Sequence, residues 1–174
     1  MAKDVFDSLA GAVPRSIASS GVERSSTHGR RSDRPLGRQG LDLLAQVPLF
    51  EGLPRRTLKQ LADHADVVTY NERDAIVAEG HAGGTFYVLV EGEAKVVRRK
   101  RTIAHVVPGE FFGEISLLDG GPRTASVIAE TPVTAIRIFK RSFDKLVAAD
   151  PSVASRMLAV VARRLREAER SIAG

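Results

Sequence analysis

Apolar residues recur with two different periods along this chain, and the change of period divides the chain into regions. From residue 41 to 65 they return at every third or fourth position, which is typical of amphipathic helices. From residue 67 to 139 they form short runs rich in β-branched and aromatic residues, which is typical of strands. We expect seven strands, at residues 67–70, 75–78, 85–90, 93–97, 102–107, 125–129 and 133–139. Their regular spacing predicts a small antiparallel β-roll.

The pattern becomes helical again after the last strand. A short helix is expected to begin at Ser142, whose hydroxyl can cap it. Asp150 and Pro151 then form a strong start signal for a longer helix, a capping residue followed by proline. The apolar positions of this longer helix share one stripe: Ala154, Met157, Leu158, Val161, Leu165, Ala168 and Ile172. The opposite face carries Arg156, Arg163, Arg164, Arg166, Glu167 and Arg170.

Length and composition indicate one folded domain with an extension. The chain has 174 residues, of which 43% are hydrophobic, and this is enough to bury a core. Residues 1–40 contain few large apolar residues and many Ser, Gly and Arg, so we predict a disordered leader there and a folded domain over residues 41–174. The lack of cysteine excludes disulfides and thiolate zinc sites. Because neither a membrane-spanning run nor a signal-peptide core is visible, we expect a cytoplasmic protein.

Charge and histidine placement argue against several function classes. The net charge is +5, and the densest basic run, residues 98–101, falls at a predicted hairpin tip without interleaved aromatic residues. We interpret this run as a solvated tip and predict neither a nucleic-acid partner nor a membrane partner. None of the four histidines lies two residues from another, and no Ser–His–Asp or phosphate-loop pattern occurs. We therefore expect no metal and no enzymatic activity.

The stretch from residue 111 to 127 carries the candidate binding chemistry. Gly113 opens a short apolar turn of helix, Glu114 follows it, and Arg123 comes nine residues later, behind Gly-Gly-Pro. A helix N-terminus attracts an anion, and a guanidinium fork suits a phosphate. Glycine lets a ligand approach the backbone, while a carboxylate repels phosphate and suits ribose hydroxyls. Each residue alone fits an ordinary turn or a solvated surface, but the whole constellation predicts a compact nucleotide.

This stretch resembles the phosphate-binding cassette of the cyclic nucleotide-binding domain. The resemblance rests on Phe-Gly-Glu-Ile-Ser-Leu-Leu, then four residues, then Arg-Thr-Ala-Ser-Val, and it covers about residues 42–170. The family includes regulatory subunits of cyclic-nucleotide-dependent kinases, cyclic-nucleotide-gated channels and bacterial catabolite activator-type receptors. The resemblance implies an α+β fold, in which a jelly-roll-like β-roll is flanked by N-terminal helices and by C-terminal hinge and lid helices.

The resemblance also implies which residues contact the ligand. They are Gly113, Glu114, Ile115, Ser116, Arg123, Thr124 and Ala125. Glu114 is expected to accept a hydrogen bond from the ribose 2′-hydroxyl. Arg123 is expected to pair with the cyclic phosphate, helped by the backbone amide of Ser116 and by Thr124.

A further implication of the resemblance is the route by which binding is communicated. Leu117 is similar to the cassette leucine that senses movement of the helix holding Phe143 and Leu146. In this family the last helix closes over the purine as a lid, or pairs with its twin in a dimer, and Val161 and Leu165 are the lid candidates. Because few residues follow that helix, without room for a helix-turn-helix unit, we expect a stand-alone module. It is predicted to be a monomer or a homodimer through that helix and to act on an unknown effector protein.

Thr124 bears on which nucleotide is preferred. In this family a hydroxyl at this position bonds the guanine 2-amino group of a syn purine, yet bacterial cAMP receptors frequently carry Ser or Thr there. One hydrogen bond changes affinity by about tenfold at most. We expect cAMP to be preferred to cGMP, with no metal. The alternative function is a cyclic-nucleotide-independent scaffold or dimerisation module of the same fold, and an enzyme of unknown type is the third hypothesis.

Overall fold

The fold is given by a computed structural model that describes residues 29–31, 36 and 38–173. Its strands are β1 (Arg30–Arg31), β2 (Ala65–Tyr70), β3 (Ala75–Val77), β4 (Thr85–Glu91), β5 (Ala94–Arg98), β6 (Arg101–Val106), β7 (Phe111–Phe112), β8 (Ser126–Ala129) and β9 (Val133–Phe139). Its helices are α1 (Arg38–Gln46), a 3₁₀ turn (Pro48–Phe50), α2 (Arg55–Ala62), α3 (Glu114–Asp119), α4 (Lys140–Ala149) and α5 (Ser152–Ala173). The protein is therefore α+β, as the sequence predicts.

The strands form two antiparallel sheets that enclose an apolar interior. One sheet has the order β1-β2-β9-β4-β7, and the other has the order β3-β8-β5-β6. Side chains from both sheets, such as Leu89, Val127 and Ala135, are buried together between them. The predicted β-roll is confirmed: each of the seven predicted strands is present, and the structure adds β1 and β7.

Strands β4 and β9 are buried on both faces, because helices cover the outer face of their sheet. Ala135 of β9 lies in the interior between the sheets, whereas Ile136 and Ile138 pack with the helices. The helices contribute these residues to a second cluster, called here the helical core: Leu43, Leu44, Leu58, Leu61, Phe143, Leu146, Val153 and Met157. Full burial of one such side chain stabilises the fold by about 1.5–3 kcal/mol.

Phe86 on β4, which is fully buried, joins three parts of the fold. Its ring centroid lies 5.2 Å from that of Phe111 on β7 and 6.1 Å from that of Phe143 on α4. The ring of Phe50 in the 3₁₀ turn is 6.4 Å away and nearly perpendicular. Aromatic rings at these separations attract one another. Phe86 therefore packs on both β7 and α4 and connects the two elements.

Of the two capping residues predicted for the C-terminal helices, Asp150 is a cap in the structure and Ser142 is not. Asp150 caps α5, since its Oδ1 accepts a hydrogen bond from the Ser152 amide at 3.0 Å. Hydrogen bonds from Ser152 also hold the pKa of Asp150 below its ordinary value. Ser142, by contrast, lies inside α4, and its hydroxyl donates to the carbonyl of His64 at 3.5 Å. The predicted cap at Ser142 is wrong because α4 continues directly from β9 and needs no separate start signal.

Helix α5 packs on the domain with a face that overlaps the predicted stripe only in part. Met157 of that stripe is fully buried and Val161 packs against the helical core, as predicted. Val153 and Val160, which lie outside the stripe, pack there too, whereas Leu158 and Leu165 of the stripe are 62% and 59% exposed. The packed face is therefore rotated round the helix from the predicted stripe, by less than the 100° that separates neighbouring residues. Periodicity did not fix the rotation, because apolar residues lie on both sides of this helix.

A short strand comes before the first helix. Strand β1 pairs with β2 in the register Arg30↔Thr69. Gly29 lies so close to Tyr70 that an added Cβ would be 2.5 Å from the phenol ring. Leu36 is buried in the helical core. Backbone pairing needs little apolar sequence, so composition gave no sign of this strand.

These contacts differ from the predicted disordered leader of residues 1–40. The prediction is wrong for residues 29–31 and 36, which lie on the domain, and α1 already begins at Arg38. Residues 1–28 lie outside the described residues, so the prediction of a leader there stays a prediction.

The basic run lies at the tip of the β5–β6 hairpin. Arg98 pairs with Arg101 across the hairpin, and the turn residues Arg99 and Lys100 have φ values of 48° and 67°. Two residues with positive φ suit the twist of a two-residue hairpin turn. All four side chains are exposed, in agreement with a solvated tip.

We predict that the segment before α1 stabilises the domain. A protein starting at residue 38 lacks β1 and the buried Leu36 side chain, and should lose about 2–3 kcal/mol of unfolding free energy in urea denaturation. A protein starting at residue 29 is the matched control, because it keeps every described contact. Equal stability of the two would show that this docking contributes nothing.

Candidate functional site

The site is built where β7 ends and α3 begins. Gly113 connects them with a φ of 87°, in the left-handed region that favours glycine. An added Cβ at Gly113 would be 2.7 Å from Arg123 Nη1 and 2.9 Å from the carbonyl oxygen of Thr85. A side chain is therefore excluded here both by backbone conformation and by the packing of the arginine.

Arg123 is buried, with 6% of its surface exposed. Its Nη1 donates to the carbonyl of Gly113 at 3.1 Å, and its Nη2 donates to the carbonyl and the hydroxyl of Thr85, both at 2.8 Å. Burial lowers the pKa of this guanidinium, while Tyr87 and Glu114 oppose the shift. The group stays charged, and these three bonds leave two of its five N–H donors for an anion.

The loop between β3 and β4 closes against the cassette. Ala82 forms an isolated bridge with Pro122, and the hydroxyl of Ser116 donates to the carbonyl of Pro122 at 3.1 Å. At Gly83 an added Cβ would be 2.4 Å from the Cβ of Ser116 and 3.1 Å from the Cζ of Arg123. Gly83 is thus a residue of the site that the sequence analysis missed.

Glu114 is the second buried charge of the site, with only 3% of its surface exposed. Its Oε1 lies 2.5 Å from Nη1 of Arg164, which extends from α5. Nη2 of Arg164 donates to the carbonyl of Phe111 at 2.6 Å, and the guanidinium carbon lies 4.9 Å from the centroid of the Phe111 ring. The sequence analysis placed Arg164 on the face opposite the apolar stripe and gave it no role in the site. Arg164 follows the buried Met157 by seven residues, which is two helical turns, so it lies on the packed face of α5. The sequence analysis overlooked this spacing.

The other predicted ligand residues are spread around this centre. Ser116 is buried beside Arg123, and Ala125 is half-buried. Ile115 and Thr124 are exposed. Of the two lid candidates, Val161 is half-buried against the helical core, whereas Leu165 points into solvent. The structure therefore brings Gly113, Ser116 and Arg123 together, and it does not bring Leu165 to the site.

Leu117 connects the site to the C-terminal helices. It is 1% exposed and belongs to the helical core, together with Phe143 and Leu146 of α4. A cleft of about 290 Å³ is lined by residues of α3, α4 and α5, among them Leu117, Phe143 and Ala154. The cleft therefore lies between α3, which carries Glu114, and the two C-terminal helices.

Two other features, a metal-binding cluster and a membrane-spanning helix, are absent from the part of the chain that the structure describes. No group of three or more histidine, aspartate or glutamate side chains is placed to hold a metal ion there. Among the same residues, no helix combines the length and the apolar character needed to cross a bilayer.

Comparison with known proteins gives the family. Residues 67–150 match the sequence profile described as the cyclic nucleotide-binding domain, and they include the whole cassette with Glu114 and Arg123. The chain belongs to the cyclic nucleotide-binding domain family. The resemblance stated from the cassette is thereby confirmed, and the β-roll with its flanking helices is the fold of that family.

Relatives of this cyclic nucleotide-binding domain are regulators. A CRP-like cAMP-activated global transcriptional regulator of Mycobacterium tuberculosis is 28% identical over 137 residues, which are 76% of this chain and 61% of the relative. A cAMP-dependent protein kinase regulatory subunit of Colletotrichum orbiculare is 35% identical over 108 residues, 61% of this chain and 28% of the relative. The crystal structure of Thermus thermophilus catabolite activator protein has a TM-score of 0.65 at 33% identity, covering 72% of this chain and 61% of that one. The chain thus spans about three fifths of the bacterial relatives and less of the kinase subunit.

We predict that Arg123 stabilises the ligand-free domain as well as carrying charge. Arg123→Ala removes three hydrogen bonds and leaves buried oxygens unpaired, which should cost about 2–4 kcal/mol of unfolding free energy. Thr85→Val, which removes only the hydroxyl, should cost about 1–2 kcal/mol. Urea denaturation without ligand measures both, with the exposed Arg141→Ala as a control expected to stay within about 0.5 kcal/mol of the unmodified protein. An Arg123→Ala protein as stable as that control would contradict the structural role.

Proposed function

We propose that this protein is a cyclic nucleotide receptor that prefers cAMP and passes the binding signal to its C-terminal helices. The single observation that carries the proposal is the cassette with two buried side chains of opposite charge, Glu114 and Arg123. Burying a charge costs free energy. A ligand that bonds both side chains explains why this small domain buries two of them. The named functions of the relatives, a cAMP-activated regulator and a cAMP-dependent kinase regulatory subunit, support cAMP as the ligand.

Each charged residue has a distinct role in this proposal. The remaining N–H donors of Arg123 bind the cyclic phosphate, together with the backbone amide of Ser116 and with Thr124. Glu114 accepts a hydrogen bond from the ribose 2′-hydroxyl. Ile115 and Ala125 complete the ligand contacts of the cassette.

The signal leaves the site by two routes. Leu117 on α3 belongs to the same buried cluster as Phe143 of α4, and both residues line the cleft between the two helices. Phe86 links Phe111 of the site strand to the same Phe143 ring. Movement of α4 and α5 would then be sensed by an effector protein, or by a second copy of this chain, on the exposed side of α5 that carries Leu158.

A regulatory role accounts for the site better than the alternatives. In a scaffold that needs no ligand, Arg123 would still bond Gly113 and Thr85, but the two N–H donors that these bonds leave over would have no partner to explain them. The relatives are described as regulators, which supports a binding function rather than catalysis. The exposed basic tip at Arg99 and Lys100 is not part of the cassette. We assign it neither nucleic acid nor membrane as a partner.

We predict that cAMP affinity depends on the shape of Arg123 and not only on its charge. Arg123→Lys keeps the positive charge but loses the planar fork, and should weaken cAMP binding by about ten- to a thousandfold in isothermal titration calorimetry. Arg141→Ala is the control, because Arg141 is an exposed arginine of α4 and should bind as the unmodified protein does. Normal cAMP binding by Arg123→Lys, or no cyclic nucleotide binding by the unmodified protein, would refute the proposed site.

We predict that Thr124 sets a modest preference between the two purines. Its exposed hydroxyl can add one hydrogen bond to guanine, worth about tenfold at most. Thr124→Ala should therefore keep most of the cAMP affinity and lose more of the cGMP affinity, as measured by titrating both nucleotides into both proteins. A preference of the unmodified protein for cGMP by far more than about tenfold would contradict cAMP as the ligand.

A further inference from the structure

The basic tip of the β5–β6 hairpin, formed by residues 98–101, lies beside the cassette. Strand β5 pairs with β8 in antiparallel register, and Val97 stands opposite Ser126 at the end of this pairing. Beyond that pair β5 continues into the basic tip, while Ala125 and Thr124 come just before β8. The continuations of two antiparallel strands run side by side, about 5 Å apart. The basic tip is therefore next to residues that we assign to the nucleotide.

Hydrogen bonds to Glu79 hold the basic tip in this position. The backbone amide of Arg99 donates to Oε2 of Glu79 at 3.0 Å, and the amide of Glu79 donates to the hydroxyl of Ser126 at 2.9 Å. The next residue, Gly80, donates its amide to the carbonyl of Arg123 at 2.8 Å. Glu79 and Gly80 therefore link the hairpin turn to the backbone of the arginine that we assign to the phosphate.

The charges of the basic tip are not neutralised by carboxylates. All four side chains are exposed, and among the described residues none of them forms an ion pair. By contrast, Lys95 on the same strand pairs with Glu130 at 3.9 Å. Glu79 bonds the backbone of the turn and not a guanidinium. Four unpaired charges of one sign create a positive potential around this side of the site.

The turn carries charge at positions that favour other residues. Arg99 and Lys100 have φ values of 48° and 67°, so both adopt the left-handed conformation. Hairpin turns with two such residues favour Asn followed by Gly, which reach positive φ at lower cost. Hairpin stability alone therefore does not account for Arg and Lys in this turn, and a role of the charges themselves does.

We propose that the basic tip steers the anionic cyclic nucleotide towards the site and so raises its rate of association. This inference rests on the proposed function, and it gives a role to charges outside the cassette. A cyclic phosphate carries one negative charge, and a group of cations beside a binding site raises the local concentration of an anion. Steering acts through solvent before the ligand is bound, so it changes the association rate and its salt dependence more than the dissociation rate.

A change of turn residues tests the steering. Arg99→Asn/Lys100→Gly removes two charges and installs the residues that this turn favours, so the protein should be at least as stable as before in thermal unfolding. In stopped-flow fluorescence at about 10 mM salt, cAMP with a fluorophore on the purine C8 should associate about two- to fivefold more slowly with this variant than with the unmodified protein. The dissociation rate, measured by chasing with unlabelled cAMP, should change by less than about twofold.

The matched control removes two charges on the other side of the domain. Arg56→Gln/Arg141→Gln changes exposed arginines of α2 and α4, helices that cover the other sheet, and should associate as fast as the unmodified protein. At about 1 M salt, where the screening length is about 3 Å, the turn variant should match this control. Equal association rates of the turn variant and the control at low salt, or a deficit that persists at high salt, would overturn the steering.

The same measurements separate the steering from the function on which it rests. If the unmodified protein binds no cyclic nucleotide, both the receptor function and the steering are refuted. If it binds, and the turn variant associates as fast as the control, the steering alone is refuted and the receptor function stands. Slower association of the turn variant at low salt, with unchanged dissociation, supports both.

Discussion

The need to house one charged guanidinium determines the shape of this site. Arg123 lies inside the fold, and an unpaired buried charge would be strongly unfavourable. The structure solves this with oxygens from two separate segments, the carbonyl of Gly113 and both oxygens of Thr85. Space for the side chain exists only because Gly83 and Gly113 have none of their own. The turn conformations, the loop closure and the start of α3 are all consequences of this arrangement.

A second charge, of opposite sign, connects the same site to the end of the chain. Glu114 begins α3, and the ion pair with Arg164 joins it to α5. Phe111 is involved twice, since its carbonyl and ring contact Arg164 while its ring also packs on Phe86. Phe86 in turn packs on Phe143 of α4. The binding chemistry and the helices that could report on it are therefore parts of one contiguous set of contacts.

The sequence predicted the parts of this structure that depend on neighbouring residues. The cassette is contiguous, so Gly113, Glu114 and Arg123 could be identified from their spacing, and short β-branched runs gave the strands. Thr85 could not be identified in this way, because it lies 38 residues from the arginine that it binds. Arg164 lies 50 residues from Glu114 and looked like any arginine on a helix surface.

The remaining errors have the same physical origin. The rotation of α5 depends on which of two apolar sides fits the helical core, and both Met157 and Leu158 are compatible with the periodicity. Strand β1 is held by backbone pairing with β2, which composition does not report. Ser142 has a side chain that can cap a helix, but α4 already begins at Lys140, two residues earlier. In each case tertiary contact chose between options that the local sequence left equal.

The unequal anchoring of α5 has a consequence for how such a receptor can evolve. Around Arg123, Gly83 and Gly113 leave no space for a single added methyl group, so nearly every change there disturbs recognition and folding together. The second half of α5 is not constrained by packing in this way, because its residues from 165 to 170 are exposed. Substitutions at those exposed positions can therefore accumulate without disturbing Arg123 or the packing of the domain. The two parts of the chain are under unequal constraint, and sequence change between related chains is expected to concentrate at the exposed end of α5.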